Sequence, residues 1–239
     1  MSNIKKKFIG SLEEISPTKI IDEEKDDQLA NFFLILSMVF NDLKSFLFFE
    51  KLLEESYEQP DLENATVHLG EYAGLKVHVQ KNLIGITSEF LLMLRKNSDL
   101  LNIPRLQLLV RELTPENKRK WDELIDSAKN PNSLYGNIYQ IRSTITMHYD
   151  HQRKALRKGF MRSFFGEGKD IKQHKNAYYR IGDKMENTRF FYADAAVEDY
   201  IKSVLNMEDM GKVTKVIEDM THTIYSLLKE YIKMCKKKK

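Results

Sequence analysis

The chain has 239 residues, 42% hydrophobic and 31% charged, with a net charge of +3. That is enough for one large or two small domains with a real core, and it excludes wholesale disorder. Ten glycines and five prolines signal few turns, favouring long helices over many short strands, while the single Cys235 excludes an internal disulfide and a cysteine zinc site.

Residues 1–17 read as a flexible leader ending at Pro17. Lys5-Lys6-Lys7 is basic, but no long apolar run follows, so no signal peptide is expected. A long helix is expected from Thr18 to Glu55. Leu29, Phe32, Phe33, Leu36, Phe40, Leu43 and Leu47 recur every three or four residues and mark one buried stripe. Asp22, Glu23, Glu24, Asp26 and Asp27 lie near its start, where the helix dipole favours anions. The apolar run Phe32–Phe40 is broken only by Ser37, then interrupted by Asn41, Asp42 and Lys44. It falls short of the roughly 20 residues a spanning helix needs, so a soluble protein of the cytoplasm is the default expectation, with no membrane partner.

A second long helix is expected from Leu62 to Lys96, with Gly70, Gly74 and Gly85 inside it. They permit close packing against a neighbour or mark breaks. A short helix covers Pro104 to Glu112. Thr114-Pro115-Glu116-Asn117 is a start signal with proline at the first helical position, and that helix ends near Asn130-Pro131. The next helix spans Ser133 to Phe164 and stops at Gly166-Glu167-Gly168. Residues 169–192 are the least regular part. Tyr178-Tyr179-Arg180 and Arg189-Phe190-Phe191-Tyr192 form either two short strands of a β-hairpin insert or irregular loop. Helices over Ala193–Asn206 and Lys212–Cys235 complete an all-α, multi-helix bundle with long antiparallel helices. A basic tail, residues 236–239, follows.

The charge is uneven. Residues 11–64 hold 14 acidic and 4 basic side chains, net −10, whereas residues 142–189 hold 12 basic and 5 acidic, net +7. Either opposite faces of the protein complement each other, or the basic half meets a polyanion such as RNA.

The helix from Ser133 carries the most function-like sequence, Ile141-Arg142-Ser143-Thr144-Ile145-Thr146-Met147-His148-Tyr149-Asp150. On an ideal wheel Leu134, Ile138, Ile141, Ile145 and Leu156 form one apolar stripe. Arg142 falls about 60° to one side of Ile145, and His148 about 60° to the other. An arginine on such a margin can aim its fork at a phosphate, and a histidine there can have its ring oriented and its acidity tuned. Together they can cleave RNA. The histidine takes the ribose 2′-OH proton or gives one to the leaving 5′-oxygen, and the arginine stabilises charge on the pentacoordinate phosphorus. No metal or other cofactor is needed, because the nucleophile is already in the substrate.

The segment Ile141–Asp150 resembles the signature of HEPN-superfamily ribonucleases, an Arg and a His separated by about four to six residues on one helix of an all-α bundle. Here five residues separate Arg142 from His148, and Ile141, Met147 and the His148-Tyr149-Asp150 ending also look similar. The resemblance implies a single HEPN-like domain over residues 18–235. It implies Arg142 and His148 as the catalytic pair of a metal-independent endoribonuclease, with Ser143 and Tyr149 supporting. It further implies a composite site where two copies meet in a homodimer, in a toxin–antitoxin or phage-defence setting with an antitoxin or other protein partner. Ser143 departs from the pattern, which places Asn, Asp or His after the arginine. The alternative is a non-catalytic RNA- or protein-binding module with a degenerate motif.

Arg153, Lys154, Arg157, Lys158 and Arg162 continue beyond the motif, either as a solvated face or as a rail for RNA phosphates. Tyr178, Tyr179, Phe190, Phe191 and Tyr192 are either core or platforms for exposed bases. Asp219-Met220-Thr221-His222 is the nearest approach to a di-metal helix motif, but it has Asp for Glu and no second copy. Trp121 is expected to pack.

Overall fold

The computed structural model describes residues 13–21, 27–56, 66–130, 133–146, 154–166 and 175–237. It is all-α, as expected: α1 Pro17–Ile20, α2 Gln28–Ser56, α3 Val67–Lys96, α4 Pro104–Arg111, α5 Pro115–Lys129, α6 Ser133–Ile141, α7 Ala155–Phe165, α8 Phe191–Val204 and α9 Met207–Lys237. The helix expected from Thr18 to Glu55 is two helices. Ile21 is extended, with φ −123° and ψ 136°, and ends α1. Asp27 then caps α2, its carboxylate accepting from Leu29 N at 3.1 Å and Ala30 N at 3.3 Å.

The stripe read from α2 is buried at Leu29, Phe32, Phe33, Leu36 and Leu43. Phe33 stacks on Tyr231 of α9, rings 4.0 Å apart and 2° from parallel. The Tyr231 hydroxyl donates to Ile20 O at 3.0 Å and ties α1 to α9. Over Gln28–Glu55, α2 is long and apolar enough to cross a membrane by length and composition, more than the run Phe32–Phe40 suggested, because apolar residues resume beyond Lys44. Leu34, Ile35 and Met38 are exposed on its other side.

α3 is the central helix, packed by α2, α5, α6, α8 and α9. Thr66 caps it, accepting from Leu69 N at 3.0 Å. Thr114 caps α5 as its sequence signalled, accepting from Asn117 N. Trp121 of α5 is buried, and Asn117 reaches Ser226 of α9 at 2.8 Å.

α7 and α8 pack closely. A Cβ on Gly159 would overlap the Ala196 carbonyl oxygen of α8. The α8 end is clamped to α3 by Arg189, which donates to Asp194 at 2.8 Å and to Glu71 at 3.1 Å. Gly74 leaves room for that guanidinium, and Gly70 for the Phe191 ring. Before α8, the candidate hairpin is reduced to one antiparallel bridge, Arg180 to Arg189, with N–O distances of 2.8 and 2.9 Å. Among the described residues it does not extend into strands, and Gly182 N bonds the Thr188 hydroxyl instead of a facing strand.

Candidate functional site

The motif helix begins as α6 and changes form at Arg142. Residues Arg142–Thr146 are π-helical, and α7 starts at Ala155. The single α-helix expected over Ser133–Phe164 is therefore corrected. The local cause is hydroxyl competition for carbonyls. Ser143 and Thr144 both donate to Gln140 O, at 3.1 and 2.6 Å, and Thr146 donates to Arg142 O at 2.9 Å. Side-chain bonding of this kind draws carbonyls out of the regular ladder, and π-helical turns concentrate at functional sites.

The buried stripe survives the change. Ile138, Ile141 and Ile145 are buried, with Leu134 packed against them, but Leu156 is exposed at the start of α7. An even 100° wheel does not carry through the π-helical residues, so the angle between Arg142 and His148 cannot be taken from it. His148, Tyr149 and Arg153 lie outside the described residues.

Arg142 sits on the margin of the buried face, its side chain 20% exposed. Its guanidinium forms an ion pair with Glu89 of α3 and lies 6.0 Å from the centre of the Tyr139 ring. Its Nε is buried and has no hydrogen-bond partner among the described residues. Tyr135 lies one turn before Tyr139. Burial pushes its phenol up, while the charges of Arg95 and Arg142 pull the other way. Glu89 was missed by the sequence reading, although it is the one charged residue between Leu83 and Leu94. A lone carboxylate in such an apolar run signals a partner on a neighbouring helix.

The described part of the basic rail is one outward face of α7. Lys154, Arg157 and Lys158 are exposed and Arg162 is half-buried, while Ala155, Gly159 and Phe164 turn inward. At the end of this face Arg162, Lys175, Asn176, Tyr178 and Asp199 line an open depression of about 630 Å³. Tyr178, Tyr179 and Phe190 are exposed rather than core, whereas Phe191 and Tyr192 are half-buried. Tyr192 packs edge-on against Phe160 of α7, centroids 6.3 Å apart.

Asp219 is buried and faces Lys120 at 3.7 Å, so it serves a charge pair between α9 and α5. Among the described residues no cluster of His, Cys, Asp or Glu is arranged to hold a metal. No family model, no curated protein and no solved structure matches the chain.

Proposed function

We propose that the protein is a metal-independent endoribonuclease of the HEPN type, with Arg142 and His148 as its catalytic pair. One observation carries the reading. Arg142 leaves the α-helix in a π-helical turn with its guanidinium largely covered and a buried Nε–H that lacks an acceptor among the described residues. An unmet buried donor costs about 1–3 kcal/mol, and a phosphate oxygen is the acceptor an arginine fork suits. Glu89 holds the place of that anion and yields it when RNA enters.

In this mechanism the ribose 2′-oxygen attacks the adjacent phosphorus and the bond to the 5′-oxygen breaks. His148 removes the 2′-OH proton or protonates the leaving 5′-oxygen, and Arg142 stabilises the charge that develops on the phosphoryl oxygens. The products are a 2′,3′-cyclic phosphate and a 5′-hydroxyl. Two copies of the motif meeting in a homodimer complete the cleft. Lys154, Arg157, Lys158 and Arg162 guide the strand, and the exposed Tyr178 and Tyr179 stack its bases.

The test is incubation of the purified protein with mixed RNA in excess chelator. Cleavage leaving cyclic phosphate ends is expected, falling about 10²-fold or more in both Arg142→Ala and His148→Ala. Activity surviving either substitution removes the mechanism.

The Arg142–Glu89 pair favours a second reading, in which it is a clasp between α3 and the π-helical turn of a non-catalytic RNA-binding module. That reading expects salt-sensitive RNA binding without cleavage, and loss of stability in Arg142→Ala.

A further inference from the structure

Away from Arg142, α3 and α9 leave between them a cavity of about 800 Å³. On α3 it is lined by Leu69, Ala73, Val77, Gln80 and Ile84, one face at helical spacing. On α9 it is lined by Met210, Val213, Ile217 and Thr221, again one face. Leu47 of α2 contributes from a third side. From Leu69 to Ile84 the α3 wall runs about 22 Å, and from Met210 to His222 the α9 wall runs about 18 Å, at 1.5 Å per residue. The space is a trough with apolar walls.

Its volume decides what kind of occupant fits. Sites for small molecules span about 300–1,000 Å³ and are mostly apolar with a few convergent polar groups. The volume here falls within that range, and walls of about 18–22 Å suit an elongated molecule.

Its charge decides the end group. Glu50, Glu198 and Glu218 line the cavity against one lysine, Lys76, and His222. Lys76 is already held by Glu50 at 3.0 Å and by Glu54 at 2.9 Å. Burial pulls its pKa down, but the hydrogen bonds and charges of Glu54 and Glu50 together outweigh that and raise it, so it stays charged and paired. Glu198 pairs with Lys202 at 2.5 Å. Glu218 is exposed on the open side of the trough and has no cationic partner among the described residues, so a ligand lying over it would strip water from its charge unless the ligand brought a cation.

We propose that this trough is a binding site for an elongated apolar molecule with a cationic end group, its chain lying between α3 and α9 and its cation against Glu218. The site is separate from Arg142 and stands whether or not the protein cleaves RNA.

The experiment is calorimetric titration of the full chain with decylammonium, 1-decanol and decanoate, which share a chain and differ in end group. It is run at about pH 8, where an alkylammonium is cationic and a carboxylate anionic. Decylammonium is expected to bind one to one, at least tenfold tighter than decanoate, with decanol between them. Glu218→Gln should shrink the preference for the cation while leaving decanol binding unchanged. Ala73→Trp should abolish binding of all three. If it fails to fold, Thr214→Trp on the exposed edge of α9 gives the same block. Equal binding of decylammonium and decanoate overturns the charge assignment. Binding that survives both tryptophan variants in folded protein, or no binding of decylammonium at all, overturns the site.

Discussion

Two helix pairs in this protein are solved in opposite ways. α7 and α8 touch backbone to backbone, because Gly159 brings no side chain to the contact with Ala196. α3 and α9 face each other over a trough of about 800 Å³, lined by full-sized side chains on both walls. Close approach needs a small residue at one point, and an open seam needs walls anchored elsewhere. α9 is anchored by Phe33 of α2 against Tyr231 and by α5 at Lys120 and Asn117. α3 is anchored by α6 and by the Arg189 clamp. Each wall thus has supports outside the trough, and Gln80 of α3 meets Met210 of α9 at 3.7 Å where the two walls approach.

The strongest way to break this contrast is at Gly159. Gly159→Ala puts a methyl into the Ala196 carbonyl, a backbone group that cannot rotate away. The helices must separate, and the expected loss is about 1–3 kcal/mol of stability, read from urea unfolding. An unchanged midpoint would show that α7 and α8 shift freely.

The next largest effect is expected at the clamp. Arg189→Ala removes charge-assisted bonds to Asp194 and Glu71 and empties the space beside Gly74. Both carboxylates remain about 30% exposed, so water relieves part of the cost, and about 1–2 kcal/mol is expected by urea unfolding. Amide exchange should quicken at the start of α8 and not in α9, if the two walls of the trough are anchored independently.

The opposite sign is expected at Gly211, in the first turns of α9. A Cβ there meets nothing within 4 Å. Gly211→Ala should stabilise by about 0.5–1 kcal/mol, because alanine loses less backbone entropy in a helix. The same exchange thus reads the two helix environments with opposite sign, in thermal melts of the two variants side by side.

Much of this arrangement was legible in the sequence, where the cause is local. The α2 stripe follows from residues three and four apart, and the start of α5 from Thr114-Pro115. The α2 start was not, because it depends on Asp27 capping after a break at Ile21 rather than on composition. The π-helical turn left a trace in Ser143, Thr144 and Thr146, but their carbonyl partners are fixed only in three dimensions. Arg142 was found by motif, but the wheel that set it beside Ile145 assumed an α-helix through residues that are π-helical. Glu89 lies 53 residues before it in the chain, and their pairing depends on α6 packing against α3. The trough has no local signature, since the stripes that line it look like any buried face.

The smallest effect expected is a pH dependence carried by His78, on α3 between the clamp and the trough. Its ring lies 6.4 Å from that of Phe46 and beside Asn82. Burial lowers its pKa below the ordinary 6.5, the charges of Lys81 and Arg189 lower it further, and Asp194 opposes them. The folded protein therefore favours the neutral ring, while the unfolded chain takes up its proton near the ordinary value. Stability from this residue is complete above pH 6.5, declines as pH falls through that value, and levels off below the lowered folded pKa. His78→Gln should flatten the slope between about pH 7 and pH 5, the window in which an ordinary histidine titrates. Arg189→Ala removes one of the charges that oppose protonation, so it should weaken the same slope without abolishing it. Urea midpoints across that window measure both. A slope untouched by His78→Gln would assign the titration to another group and leave the clamp uncoupled from it.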